Sequence, residues 1–104
     1  MDTVAITQQL HALRDRMDWQ RLHNPKNLAM AASVEMAELV ECFQWLSDAQ
    51  ARELNAKQLE ACGEEIADVV LYLLLLCAEL KLDMPSIVTD KLAKNAARWP
   101  EPKA

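Results

Sequence analysis

The sequence predicts an all-α protein: a four-helix bundle-like subunit that assembles into a dimer or a dimer of dimers. Three observations lead there. Gly63 is the only glycine in 104 residues, so tight turns are scarce and long helices are favoured. Hydrophobic residues make up 52% of the chain, which excludes intrinsic disorder. The run Val69–Ala78 is apolar on every side of a helix, and such a helix must be surrounded. A chain this short buries only about two-thirds of its unfolded surface, so a second subunit is expected to cover the rest.

The first helix is expected over Thr3–Asp18, where Val4, Ile6, Leu10, Leu13 and Met17 recur at helical spacing. Asp18–Asn24 reads as an irregular connection. Asn24-Pro25 is an N-cap followed by proline at the first helical position, and it opens a second helix to about Leu46. Ser47 with Gln50 forms a capping-box pattern that opens a short helical piece. Asn55 with Gln58 repeats it and starts the third long helix, which runs to about Leu80. Gly63 inside that helix marks either close packing or a break. Asp83-Met84-Pro85 caps the fourth, which ends near Arg98, and Trp99-Pro100 stops it. Residues 1–104 form one domain, with about 99–104 a short mobile tail. Leu71, Leu73–Leu76 and Met30 belong to the core or to an interface.

The net charge of −5 argues against general binding to nucleic-acid polymers. Cys42, Cys62 and Cys77 are odd in number and lack CxxC spacing. They read as small buried hydrophobes of a cytoplasmic protein, not as a disulfide framework or a zinc site. No secretory pattern opens the chain. The ten-residue apolar run is well short of the roughly 18 that a membrane span needs, so no membrane partner is expected.

Chemistry is carried by carboxylates. Glu35 and Glu38 share one face of the second helix at i, i+3, and Glu65 and Asp68 share one face of the third. If the two helices pack side by side, four carboxylates converge, and they repel unless a cation sits among them. All-oxygen ligation suits Mg²⁺, with Mn²⁺ as the alternative. A solvated acidic face is the competing reading. Glu41 and Glu64 are taken as flanking residues. A di-iron site would need Glu-x-x-His, but Gln8 and Gln20 stand three residues before His11 and His23, the two histidines.

The ordered string "EMAE", "FQW", "EEIADVVLYLL" and "KLAKNAARWP", with "DWQRLHNPKNL" before it, resembles the MazG-like all-α nucleoside triphosphate pyrophosphohydrolases. Within that family it is most similar to the compact branch that acts on dCTP. The resemblance spans roughly Asp18 to Pro100. It implies hydrolysis of a (deoxy)nucleoside triphosphate between its α and β phosphates, with Mg²⁺, in a homodimer or homotetramer whose cleft is completed near a subunit interface. It implies metal ligation by Glu35, Glu38, Glu65 and Asp68, and base contacts by Trp19, His23, Asn27, Trp45 and Tyr72. It also implies phosphate contacts by Lys91, Asn95 and Arg98. The segment between Trp45 and the third helix has its own sequence, and Trp99 stands where tyrosine is frequent, so the base preference stays open.

The residues fit that chemistry. A triphosphate carries about four negative charges near neutral pH and the carboxylates add as many, so more than one divalent cation and basic side chains are required. Lys91, Lys94 and Arg98 share a face, of which Lys94 is read as solvated. Glu35 or Glu38 is the expected general base toward a water. Trp19 and Trp45 offer stacking surfaces worth about 1–3 kcal/mol per base, whereas Trp99 is read as a C-terminal packing residue. The alternative function is a non-catalytic helical dimerisation or regulatory module whose acidic face binds a basic protein.

Overall fold

The structure, a computed structural model, describes residues 1–99 and 102. Among them every regular element is helical: α1 (Thr3–Arg16), a 3₁₀ turn (Gln20–Leu22), α2 (Pro25–Glu41), a single turn α3 (Asp48–Ala51), α4 (Ala56–Glu79) and α5 (Met84–Arg98). The all-α class is as expected. The mobile tail expected from about 99 falls largely on residues 100, 101, 103 and 104, outside the described residues.

The helix starts follow the chemistry of their caps. The Asn24 side chain accepts from the backbone N–H of Asn27 at 2.9 Å and Pro25 follows at the first helical position. Ser47/Gln50 and Asn55/Gln58 both close as reciprocal capping boxes. Asp83 accepts from the Ser86 backbone N–H at 3.2 Å to open α5.

The ends of α1 and α2 differ from the expected ones, while α5 ends at Arg98 as expected. α1 stops at Arg16, because Asp18 takes a left-handed backbone, φ 57°, and reverses the chain. Trp19 N–H then donates to Arg14 O (3.0 Å) and Asp18 N–H to Asp15 O (3.2 Å), the two bonds of a Schellman closure. α4 ends in the same way. Lys81 has φ 57°, Leu82 N–H donates to Cys77 O (2.8 Å), and Lys81 N–H donates to Ala78 O (3.2 Å). α2 ends at Glu41, five residues earlier than expected. Cys42 and Phe43 donate to Leu39 and Val40, so the last turn tightens and unwinds before Leu46. Gly63 causes no break in α4, and a Cβ there would meet nothing within 4 Å beyond the backbone of its own helix and its chain neighbours among the described residues.

Packing centres on α4, which lies chiefly against α2 and secondarily against α1. The buried apolar residues are Leu28 and Ala32 of α2 and Cys62, Leu74, Leu75 and Cys77 of α4. Helix α5 touches the remaining helices only marginally. The radius of gyration is therefore 17.0 Å, against about 13 Å for a compact domain of this length. The accessible surface is 8202 Å², against about 5,900 Å² for a compact monomer of this size. Much of the excess is apolar. Met30, Val34 and Val40 of α2, Leu59 and Ile66 of α4, and Val88 and Leu92 of α5 are all more than half exposed.

A lysine in the left-handed region costs about 1–2 kcal/mol that glycine avoids, partly offset by glycine's larger unfolded-state freedom. Lys81→Gly is therefore expected to stabilise the fold by about 0.5–1 kcal/mol, read as a higher urea midpoint with an unchanged slope.

Candidate active site

The α2–α4 pairing brings the acidic pairs together. Glu35 falls on the buried stripe of α2, one helical turn past Ala32 and two past Leu28. Glu65 falls one turn past buried Cys62 on α4. One carboxylate oxygen each from Glu35, Glu38 and Glu65 lies within 4.8 Å of the others. Asp68 contributes no oxygen to that group; it stands one turn further along α4, half-buried. Of the four expected ligands the fold thus gathers three tightly and sets the fourth beside them.

The electrostatics are those of an unbalanced anionic cluster. Burial is the main force raising the Glu35 pKa, to about 7, with the carboxyl groups of Glu65 and Glu38 and the charge of Asp68 adding to it. Glu65 is raised as well, first by burial and then by Glu38 and Asp68, while its contact with Glu35 works in the other direction. Glu35 Oε2 and Glu65 Oε2 are buried without a hydrogen-bond partner. Buried carboxylate oxygens with no donor are what a divalent cation would satisfy. The residues present therefore fit a cation held by Glu35, Glu38 and Glu65, with Asp68 alongside.

A cavity of about 490 Å³ opens next to this cluster. Asp68, Tyr72, Leu71 and Leu75 form its α4 wall, while Leu28, Ala31 and Asn27 form the α2 wall. The connection from α1 closes it. Because the Schellman turn reverses the chain at Asp18, Trp19 swings into the cavity, and the 3₁₀ turn delivers Leu22 and His23 after it. Asn27 Nδ2 donates to Leu22 O at 3.1 Å and ties this connection to α2. The Trp19 and His23 rings lie 6.4 Å apart, tilted by 39°. Burial, and next the Arg14 guanidinium, lower the His23 pKa, so its imidazole is neutral at pH 7. Its Nδ1 is buried without a partner.

Four of the five expected base contacts, Trp19, His23, Asn27 and Tyr72, therefore line one cavity with Asp68. Trp45 stands apart, 85% exposed in the turn after α2. The expected phosphate contacts are not at the carboxylates within one chain. Lys91 and Asn95 border a shallow cavity on α5 with Ile87, Val88 and Leu92, and the Arg98 guanidinium stacks over Trp99 at 4.6 Å. Cys42 is half-buried and donates weakly to Glu38 O at 3.6 Å, while Cys62 and Cys77 are buried free thiols. Arg14 also lines the cavity of Trp19 and Tyr72, a residue not among the expected contacts. A basic residue one turn from Leu10 and one before Met17, on the apolar stripe of α1, was the available signal.

Fold and site together define an all-helical protein with a carboxylate cluster suited to a divalent cation beside an aromatic-lined cleft. Comparison with known proteins places it more narrowly. The profile of the MazG-like family matches residues 30–104. dCTP pyrophosphatase 1 of Rattus norvegicus is 38% identical over 101 residues, covering 94% of this chain and 59% of that protein. dCTP pyrophosphatase 1 of Homo sapiens is 35% identical with the same coverage, so the chain spans about 59% of the length of these relatives. The crystal structure of a pyrophosphatase from Archaeoglobus fulgidus superposes with a TM-score of 0.90 at 36% identity, covering 97% of this chain and 94% of that one. The chain belongs to the MazG-like family.

A carboxyl raised in the fold binds its proton more tightly there than in the unfolded chain, so its contribution is complete below the unfolded pKa and is lost as pH rises through the folded one. The metal-free protein is expected to lose thermal stability between about pH 4.5 and about pH 7, the unperturbed and shifted values for Glu35. Glu35→Gln should flatten that slope, and added Mg²⁺ should restore stability above pH 7 in the unsubstituted protein alone. Melting curves across pH with chelator or metal check both.

Proposed function

We propose that this protein is a Mg²⁺-dependent nucleoside triphosphate pyrophosphohydrolase. It hydrolyses a (deoxy)nucleoside triphosphate between the α and β phosphates, giving the monophosphate and pyrophosphate. dCTP-like substrates are favoured, and the role is nucleotide-pool house-cleaning in the cytoplasm. One observation carries the reading: Asp68, one turn along α4 from Glu65 of the acidic cluster, lines a cavity with Trp19, His23, Asn27 and Tyr72. A nucleotide seated there has its base against aromatic side chains and its phosphates at the carboxylates. The names and similarity of the relatives support the reaction class.

The residues divide the work as follows. Glu35, Glu38, Glu65 and Asp68 hold the cation, which when bound supplies charge neutralisation and polarisation at the phosphates. Trp19 and Tyr72 hold the base by its apolar faces. Glu38 is the most exposed of the clustered carboxylates, and Glu35 is poised near neutrality; one of them takes the proton of the water that opens the α–β anhydride. Lys91, Asn95 and Arg98 reach phosphates only from a neighbouring copy. We therefore assign the assembly as a homodimer or homotetramer in which α5 and the exposed faces of α2 and α4 are covered. The excess of exposed surface is of the size that obligate interfaces remove.

Pyrophosphate release from a dNTP panel, with and without Mg²⁺ and with the monophosphate identified by chromatography, tests the reading. Absence of metal-dependent release from every nucleotide would overturn it in favour of a non-catalytic module binding a basic protein. Glu38→Gln and Asp68→Asn are each expected to lower turnover about 100-fold or more while the helical circular dichroism stays unchanged. Leu92→Glu places a charge on an α5 residue that is 67% exposed in the single chain. It should shift sedimentation toward monomer, and an unaltered oligomer would remove α5 from the interface.

A further inference from the structure

Arg14 occupies an unusual position. Its side chain is only 18% exposed and lines the cavity at the α1 end, among Leu10, Leu13 and Leu75. Its charge is offset from two sides: Nε lies 2.9 Å from Asp15 Oδ1, and Nη1 lies 3.6 Å from Glu79 Oε1. Two carboxylates beside one guanidinium make a poor receptor for a phosphate. Position argues the same way, because Glu79 lies about 16 Å along the α4 axis from Asp68, at the end of the cleft remote from the acidic cluster. Nη2 has no ion-pair partner among the described residues. The cavity is therefore lined, at the end away from the carboxylates, by a guanidinium that carries N–H donors and no acceptor.

We propose that Arg14 is a specificity-determining residue that donates to a ring carbonyl of the base. The site would thus take nucleotides whose base carries such an oxygen and disfavour adenine. This assignment rests on the pyrophosphohydrolase reading for its substrate class. A carbonyl oxygen in the plane of the base offers two lone pairs to the guanidinium. Adenine has no carbonyl: its ring nitrogens N1, N3 and N7 offer one lone pair each, and the exocyclic amino group beside N1 and N7 sets a donor next to the guanidinium. In a cleft walled by leucines, a donor left facing the wrong group loses its solvation without replacement. Glu79 acts through Arg14, as a positioning residue that holds the guanidinium toward the cavity.

The test compares kcat/KM for dCTP, dTTP, dGTP and dATP in the full chain and in Arg14→Met and Arg14→Gln. The unsubstituted protein is expected to prefer the three carbonyl-bearing nucleotides. In Arg14→Met the dCTP-to-dATP ratio should fall by at least about tenfold, through KM for dCTP, with the dATP constants little changed. Arg14→Gln retains N–H donors and should lose less, and it stands in should the methionine variant fail to fold. Affinities for dCMP and dAMP, measured without turnover by tryptophan fluorescence, give a second readout. They decide the role of Arg14 even where no triphosphate is hydrolysed, the result that would overturn the reaction assignment instead. Equal affinity of the unsubstituted protein for dCMP and dAMP, or an unchanged ratio in folded Arg14 variants, would overturn the proposal.

Discussion

Everything in this molecule depends on the pairing of α2 with α4 against the repulsion of the carboxylates that the pairing creates. Glu35 and Glu65 occupy helix faces whose other members are buried apolar residues, so bringing Leu28 and Ala32 near α4 also drives these two acids together. The perturbed protonation of both is the measure of that conflict. A fold selected for stability alone would place apolar side chains there. The apolar contacts of Leu74 and Leu75 hold the helices in place, and a bound cation would relieve what remains.

The second structural device is the reversal after α1. Without a glycine at hand, Asp18 adopts the left-handed backbone itself. That single turn decides where Trp19 points, where the 3₁₀ turn begins and how His23 enters the cavity wall. Arg14 serves the same corner twice, since its carbonyl accepts the closing hydrogen bond from Trp19 while its guanidinium lines the cleft. The local turn chemistry and the shape of the cleft are thus one problem with one solution. On this reading, cation chemistry at one end of the cleft and base recognition at the other share a wall formed by α4.

The third feature is what a single chain leaves undone. Helix α5 is well capped and amphipathic, yet it lies against almost nothing, and apolar residues of α2 and α4 face outward as well. Such faces are the mark of surfaces that pair with another surface. Among the described residues, Lys91, Lys94 and Arg98 of α5 form no ion pair with those acids.

The amino-acid sequence by itself determined the all-helical class, every helix start and which acids share a face of each helix. These are local properties. A cap residue acts on the next three backbone N–H groups, and two acids at i, i+3 share a face wherever that helix goes. Trp19, His23, Asn27 and Tyr72 were legible as a group only through the family resemblance, because their spacing along the chain carries no period. The helix ends at Arg16 and Glu41 were not legible, since a left-handed aspartate and a tightened last turn leave no distinctive composition. Only the tertiary structure decided that Glu38 and Glu65 close on Glu35 while Asp68 stands off to join the cavity, and that Arg14 faces the cleft. It also set Trp45 and α5 apart from the site within one chain. The reason is physical: distances between helices follow from how the side chains of α2 and α4 fit, and no periodicity within either helix encodes that fit.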